Sequence, residues 1–357
     1  MRTILPVTYQ VLLVFQRFAI LARIPMTSAL TSMPDISSPI PEYHAPCWLP
    51  GGNLQTIYPY FFAAKPDIHY RRERWELPDG DFLDLDWVDN PGDTPLIVLF
   101  HGLEGHSRGF YSLALMNQIK HRGWRGVVVH FRGCSGEPNR LARAYFAGDS
   151  AEIDYALRRL RTQSSTAPLY AIGVSLGGNA LLKWLGEQGT AANGVIQAAA
   201  SVSAPLDLTA AGNALDSGLN RLLYTRHFLT TLKRSALQKL EKFPGLFNAS
   251  LVRAATTLRE FDDLVTAPLH GYIDAEEYWQ RASSKPGLIH ISVPTLIINA
   301  QNDPFLPSSA LPTTQQVSTT VTLHYPKQGG HVGFHSGAFP GNVDWLPRRI
   351  LNYLRSQ

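Results

Sequence analysis

The apolar positions of this chain change their spacing along its length. Ile68–Leu77 and Phe82–Val88 flank Pro78-Asp79-Gly80, a turn sequence, and together predict a β-hairpin. In the second segment Leu83, Leu85 and Trp87 alternate with Asp84 and Asp86, the pattern of a half-solvated edge strand. Then the alternation stops. Leu96–Phe100, Val127–Phe131, Leu169–Val174, Val195–Val202 and Thr295–Asn299 are short apolar runs, as strands buried on both faces require. Helical spacing appears between them, in Ile153, Ala156, Leu157 and Leu160, and again in Leu176, Ala180, Leu181, Trp184 and Leu185. A last strand near Val321–Tyr325 and a last helix near Trp345–Leu354 close the pattern. A hairpin followed by strand–helix repeats predicts an α/β fold, with a mostly parallel sheet and helices on both faces.

One interval breaks the rhythm. From Pro205 to about Ile291 there is no buried-strand run, only helical segments with Pro244 and Pro268 as breaks. That is too long for a connection between sheet strands, so residues 205–291 are expected to form an inserted helical cap. Residues 221–253 carry Arg221, Arg226, Lys233, Arg234, Lys239, Lys242 and Arg253 against one acid, Glu241. A solvated helix face accounts for such a run better than a surface for anionic lipid. Residues 1–33 read differently from the rest: Ile4 to Gln16 is uncharged, Arg17 and Arg23 interrupt, and no acid precedes Asp35. A signal or anchor, an amphipathic surface helix, and an upstream extension with Met26 or Met33 as the working start all fit, the last best. The expected organisation is an extension over 1–33, one α/β domain over 34–357, and the cap within it.

Composition adds exclusions. Hydrophobic residues make up 45% of the 357, enough for a sizeable core, so a disordered or fibrous chain is excluded. The charge balance, 32 − 28 = +4, is too mild for a nucleic-acid binder. Two cysteines, Cys47 and Cys134, provide neither a disulfide framework nor a cysteine-rich zinc site. The expected location is cytoplasmic, with membrane association through the N-terminal segment as the alternative.

The chemistry is concentrated in Gly173-Val174-Ser175-Leu176-Gly177-Gly178, between a predicted buried strand and a predicted helix. In that context G-x-S-x-G is a nucleophile elbow: a tight turn lifts Ser175 above the sheet edge, and side chains at 173 and 177 would clash. The helix N-terminus beneath favours an anionic intermediate. A serine hydroxyl needs a base, and that base needs an orienting acid. Along the chain the expected order is Ser, Asp, His. Asp303 follows Thr295–Asn299 and His331 follows Val321–Tyr325. Asp207 is the alternative acid and His335 the alternative base; flanking glycines, which allow close backbone approach to the nucleophile, favour His331. The oxyanion donors are expected to be the Leu176 N–H and, from His101-Gly102-Leu103-Glu104-Gly105, the Leu103 N–H. His101 would brace that loop. Cys134, in a second glycine-bearing loop, lacks a base. His331 and His335 lack further metal ligands, and no phosphate-cradling glycine motif is present.

Several stretches together resemble the α/β-hydrolase superfamily, and within it the YheT-like branch of predicted esterases. They are His101–Gly105, His130–Arg140 (HFRGCSGEPNR), Gly173–Asn179, Arg259–Leu264 (REFDDL), Asn302–Phe305 and Gly329–Phe334, in order over most of the chain. Asn302 stands where relatives often have a second acid. The resemblance implies an α/β-hydrolase fold and carboxylic-ester hydrolysis by Ser175, Asp303 and His331, through an acyl-enzyme and without a cofactor. The expected partner is a small-molecule ester; Leu222, Leu223, Tyr224, Phe228 and Leu229 suggest an apolar acyl pocket. A catalytically silent scaffold for binding or for a membrane surface is the alternative function.

Overall fold

In the computed structural model, which describes residues 41–164 and 166–357, eight strands form one sheet. They are β1 (Arg71–Glu76), β2 (Phe82–Val88), β3 (Leu96–Phe100), β4 (Arg125–Val129), β5 (Leu169–Val174), β6 (Ala198–Val202), β7 (Thr295–Ile298) and β8 (Val321–His324). Their spatial order is β1-β2-β4-β3-β5-β6-β7-β8. The pairings from β4 through β8 are parallel; β1–β2 and β2–β4 are antiparallel. The expectations for residues 1–33 lie outside the described residues. Among those described, no helix is long and apolar enough to cross a membrane.

β3 shows how the sheet is covered on both sides. Leu96, Val98 and Phe100 pack into one apolar cluster with α3 (Ser150–Gln163) and α4 (Leu176–Gln188). Ile97 and Leu99 pack into another with α2 (Phe110–His121) and the C-terminal helix Trp345–Arg355. An uninterrupted apolar run is what a strand with two buried faces needs. β4 begins at Arg125, earlier than its apolar run, because Arg125 and Gly126 pair with Leu96 and Ile97. Val195 and Ile196 fall before β6, where their amides close a 3-10 turn onto Ala192.

The hairpin departs from expectation in one respect. β2 is not a half-solvated edge; it lies between β1 and β4, and all its residues are buried. Asp84 and Asp86 are buried because β1 places a cation directly across from each. Arg74 makes two hydrogen bonds to Asp84 at 2.7 and 2.8 Å, and Arg72 does the same to Asp86. Burial pushes the Asp86 carboxyl up, but hydrogen bonds from Arg72, His130 and Ser107 outweigh it and hold the group below the usual range.

Between β6 and β7 the regular elements of the described chain are all helical, joined by turns. α5 (Leu208–Leu215) is followed by a π turn, Arg221–Thr225, leading into α6 (Arg226–Lys242), then α7 (Ala249–Ala254) and α8 (Ala275–Ala282). Between α7 and α8, Leu258–Phe261, a π turn Asp262–Thr266 and Ala267–Leu269 run on without interruption. Pro268 lies in the last turn of this run, which ends at Leu269, so it marks a break as its ring and missing N–H require. The REFDDL stretch fastens this run to α8. Asp262 accepts from the Trp279 indole at 2.8 Å, Asp263 from the Ala275 amide at 2.7 Å, and Arg259 pairs with Glu276 at 3.0 Å.

The HFRGCSGEPNR stretch is likewise a fastening. Buried Arg132 reaches Asp79 at 2.7 Å, Asp81 at 3.0 Å and Glu152 at 2.7 Å, tying the hairpin turn to α3. Lys239 of α6 donates to Asn139 Oδ1, Leu141 O and Arg143 O at 2.5, 3.0 and 3.1 Å. It is thus not part of a purely solvated basic face, and burial lowers its ammonium to about 8.

Candidate active site

Four loops leave the C-terminal ends of parallel strands and meet at one rim of the sheet, the place where open α/β folds put their chemistry. Ser175 follows β5 directly and caps α4, with φ 53° and ψ −121°. That conformation costs a non-glycine residue about 1–3 kcal/mol. Two hydrogen bonds anchor it, Ser175 N to Val202 O at 2.8 Å and Asn179 N to Ser175 O at 3.0 Å. A methyl group at Gly173 would lie 2.4 Å from Gly177 O, and one at Gly177 would lie 2.5 Å from both His101 O and Phe100 O. Glycine at these two positions is therefore a steric necessity.

Asp303 and His331 arrive from β7 and β8. His331 Nε2 is 2.9 Å from Ser175 Oγ, and His331 Nδ1 is 2.9 Å and 3.2 Å from the two carboxylate oxygens of Asp303. Asp303 is buried and also accepts from the Phe305 amide at 2.8 Å. The Phe305 ring stacks on the imidazole with centroids 3.9 Å apart. The three side chains form one continuous line of hydrogen bonds.

The glycines around His331 face a neighbour that the sequence reading did not foresee. α1 (Gly52–Phe62) runs beside this loop. A methyl at Gly330 would meet Gly52 O at 2.8 Å, and one at Gly333 would meet Gln55 O at 1.9 Å. These glycines admit the backbone of α1 rather than bringing the loop to the nucleophile. Thr56 accepts the His331 amide at 2.8 Å. Fully buried Gln55 accepts from Gly329 N and from Asn302 Nδ2, both at 2.9 Å, and donates to Leu49 O at 2.9 Å. Asn302 in turn accepts from Gly330 N at 3.0 Å. No motif marks Gln55 or Thr56, and the helix carrying them has weakly patterned apolar positions with Pro59 inside it.

The rival residues stand elsewhere. Asp207 caps α5, accepting from Ala210 N at 3.0 Å. His335 donates from Nε2 to Pro340 O at 2.8 Å and sits among Trp48 and Tyr58. Burial pushes the Cys134 thiol up, which disfavours a thiolate nucleophile. Among the described residues no group of three or more His, Cys, Asp or Glu is placed to hold a metal ion.

Leu176 begins α4 immediately after Ser175, so its N–H is one of the helix's unsatisfied amides. Leu103 lies in the turn after β3, where Gly105 N bonds Gly102 O at 2.9 Å. That turn is beside the serine: a methyl at Gly102 would be 3.1 Å from Ser175 Cβ.

A cavity of about 180 Å³ opens at Ser175 and His331 and extends under the helices between β6 and β7. Its lining is mainly apolar and includes Leu103, Leu176, Leu208, Leu215, Phe261 and Trp279. α6 contributes Phe228, Leu232, Ser235, Ala236 and Lys239, spaced so as to share one face and extending for about 16 Å. Phe228 and Tyr224 pack on Phe305 and so border the histidine, whereas Leu222 is exposed and Leu229 packs among the helices themselves.

Comparison with known proteins matches this architecture. The profile of the family described as alpha/beta hydrolase fold matches residues 95–338. The chain is 41% identical over 307 residues to YheT of Escherichia coli (strain K12), an esterase by name, covering 85% of this chain and 89% of that one. It is 31% identical over 323 residues to phospholipase ABHD3 of Homo sapiens, covering 88% and 78%. Among solved structures, the Pyrococcus furiosus esterase Pf2001 is similar in fold, with a TM-score of 0.51 and 16% identity, covering 81% of this chain and 91% of that one.

Proposed function

The chain belongs to the alpha/beta hydrolase fold family, and from that premise we propose that it is a serine hydrolase cleaving carboxylic esters with Ser175 as nucleophile. The observation that carries this reading is the hydrogen-bonded line Asp303–His331–Ser175 at the mouth of an apolar cavity. His331 Nε2 accepts the Ser175 proton as Oγ attacks the ester carbonyl. Asp303 holds the proton on Nδ1, which keeps the basic nitrogen facing the serine, and stabilises the imidazolium that forms. The tetrahedral oxyanion is met by the N–H groups of Leu103 and Leu176, at the N-terminus of α4. His331 then gives its proton to the leaving alkoxide, the C–O bond breaks, and an acyl-Ser175 remains. In the second half the imidazole takes a proton from water, whose oxygen attacks the acyl carbon; the C–Oγ bond then breaks, His331 returns the proton to Ser175 Oγ, and the acid leaves.

The cavity suits an apolar acyl group, since burying hydrocarbon there removes apolar surface from water on both sides. The names of YheT and phospholipase ABHD3 support an ester as the bond cleaved. The test uses the full chain with a fluorophosphonate probe and p-nitrophenyl esters of increasing acyl length. Labelling and turnover in the wild type, both lost in Ser175→Ala, are the expected outcome. A wild-type protein that is neither labelled nor active is a silent scaffold, and the proposal falls.

A further inference from the structure

Three successive backbone N–H groups border the serine in the turn after β3: those of Gly102, Leu103 and Glu104. The outer two are already engaged, each by a tyrosine hydroxyl. Gly102 N donates to Tyr111 Oη at 3.0 Å, and Glu104 N donates to Tyr145 Oη at 2.8 Å. Tyr145 also donates its own proton to Glu104 Oε1 at 2.8 Å, so it holds that residue at two points. The middle group, Leu103 N–H, has no hydrogen-bond partner among the described residues.

The geometry of the turn explains why such holding is needed. Glu104 has φ 54°, in the left-handed region that a residue with a side chain avoids. Released, the peptide planes on either side of Leu103 would relax and the Leu103 N–H would rotate with them. His101 fixes the other edge. Its Nε2 accepts the Phe131 amide at 3.1 Å, so Nδ1 carries the proton and donates to Gly102 O at 2.8 Å. Burial lowers the His101 imidazole to about 3, which keeps it neutral and preserves that tautomer. The two tyrosines come from different places, Tyr111 from the first turn of α2 and Tyr145 from the loop before α3, where its ring stacks on Phe131 with centroids 5.5 Å apart.

We infer that Tyr111 and Tyr145 are positioning residues for the oxyanion hole: by occupying the two neighbouring amides they leave Leu103 N–H as the one donor of this turn, already aimed before charge develops. The inference rests on the esterase reading above. A donor fixed in advance stabilises the transition state without reorganising, and this is where electrostatic catalysis gains most. Both hydroxyls act through the backbone amides they hold; the Tyr145 ring also lines the cavity, and the change to phenylalanine leaves that ring in place.

The experiment compares the wild type with Tyr145→Phe and Tyr111→Phe, which keep the rings and remove only the hydroxyls. Four quantities are measured: kcat and KM on a short p-nitrophenyl ester, the affinity of a trifluoromethyl ketone whose adduct with Ser175 places an oxyanion in the hole, and Tm. The expected result for Tyr145→Phe is a fall in kcat of about tenfold or more, KM within about twofold, and a parallel loss of ketone affinity. A Tm that falls while kcat and ketone affinity stay at wild-type values assigns a structural role only and overturns the inference. So does a loss of kcat with ketone affinity unchanged. If the wild type itself neither hydrolyses esters nor takes the fluorophosphonate label, the esterase reading fails, and this assignment goes with it.

Discussion

Gln55 and Asn302, 247 positions apart, are joined by a 2.9 Å hydrogen bond that ties the acid-bearing loop to α1. The same glutamine oxygen takes the Gly329 amide at 2.9 Å, so one buried side chain holds the loops of both Asp303 and His331. Replacing it by leucine keeps much of the bulk and removes every polar contact. Gln55→Leu is expected to lower the free energy of unfolding by about 2–4 kcal/mol, since buried groups lose their partners. Urea denaturation measures the loss, and kcat should fall with it because the histidine loop is no longer held.

The Asp303–His331 contact gives a sharper test. Asp303→Asn keeps the shape and hydrogen-bonding capacity, but its amide can donate to Nδ1 and favour the wrong tautomer. A drop in kcat of about ten-thousandfold at pH 7 is expected, with KM little changed. Steady-state kinetics on one ester decide it, and a drop below tenfold would remove Asp303 from the mechanism.

Chain-length preference should respond to Leu232, on the cavity face of α6. Leu232→Trp adds bulk some distance from the serine. With p-nitrophenyl esters, kcat/KM for the longer acyl groups should fall about tenfold, while the acetyl ester stays near wild type. Equal losses at all lengths would mean that the acyl chain does not run along this helix.

Asp262 supplies a pH-dependent prediction. Burial raises its carboxyl to about 6, above the value of about 3.9 for an unfolded chain. In the window between those values the folded state binds more protons than the unfolded state, so this group's contribution to stability falls as pH rises from about 4 through about 6. Above that window the folded protein carries a disfavoured carboxylate. Asp262→Asn removes the charge and keeps an acceptor for Trp279. Its Tm should exceed that of the wild type at pH 7.5, and the difference should shrink towards zero near pH 4; thermal melts at the two pH values measure it.

What the sequence disclosed was local. The elbow announces itself because Gly173 and Gly177 are required by contacts within a few residues of Ser175 or with the adjoining strand. Asp303 could be picked out because it follows a short apolar run directly, and His331 because it follows the next run amid glycines. What stayed hidden depends on partners far along the chain. Asp84 and Asp86 have the alternation of a wet strand, yet they are buried, because the arginines that neutralise them lie on β1. Gln55 is one polar residue in an unremarked helix, and its importance exists only once three loops converge on it. The glycines near His331 were legible as glycines, but the reason for them, the backbone of α1, was not.

The pairing of β1 with β2 has a consequence for the integrity of the molecule. Asp84 and Asp86 depend on Arg74 and Arg72 of the outermost strand. Peeling that strand away would remove the arginine partners of both carboxylates and leave β2 as a wet edge, with Asp86 still held by Ser107 and His130. A proteolytic nick that releases β1 therefore unsettles β2 as well as trimming the margin. The same charged border, with Arg71, Arg72, Glu73, Arg74 and Glu76 along it, also discourages another chain from adding itself there and growing into an aggregate.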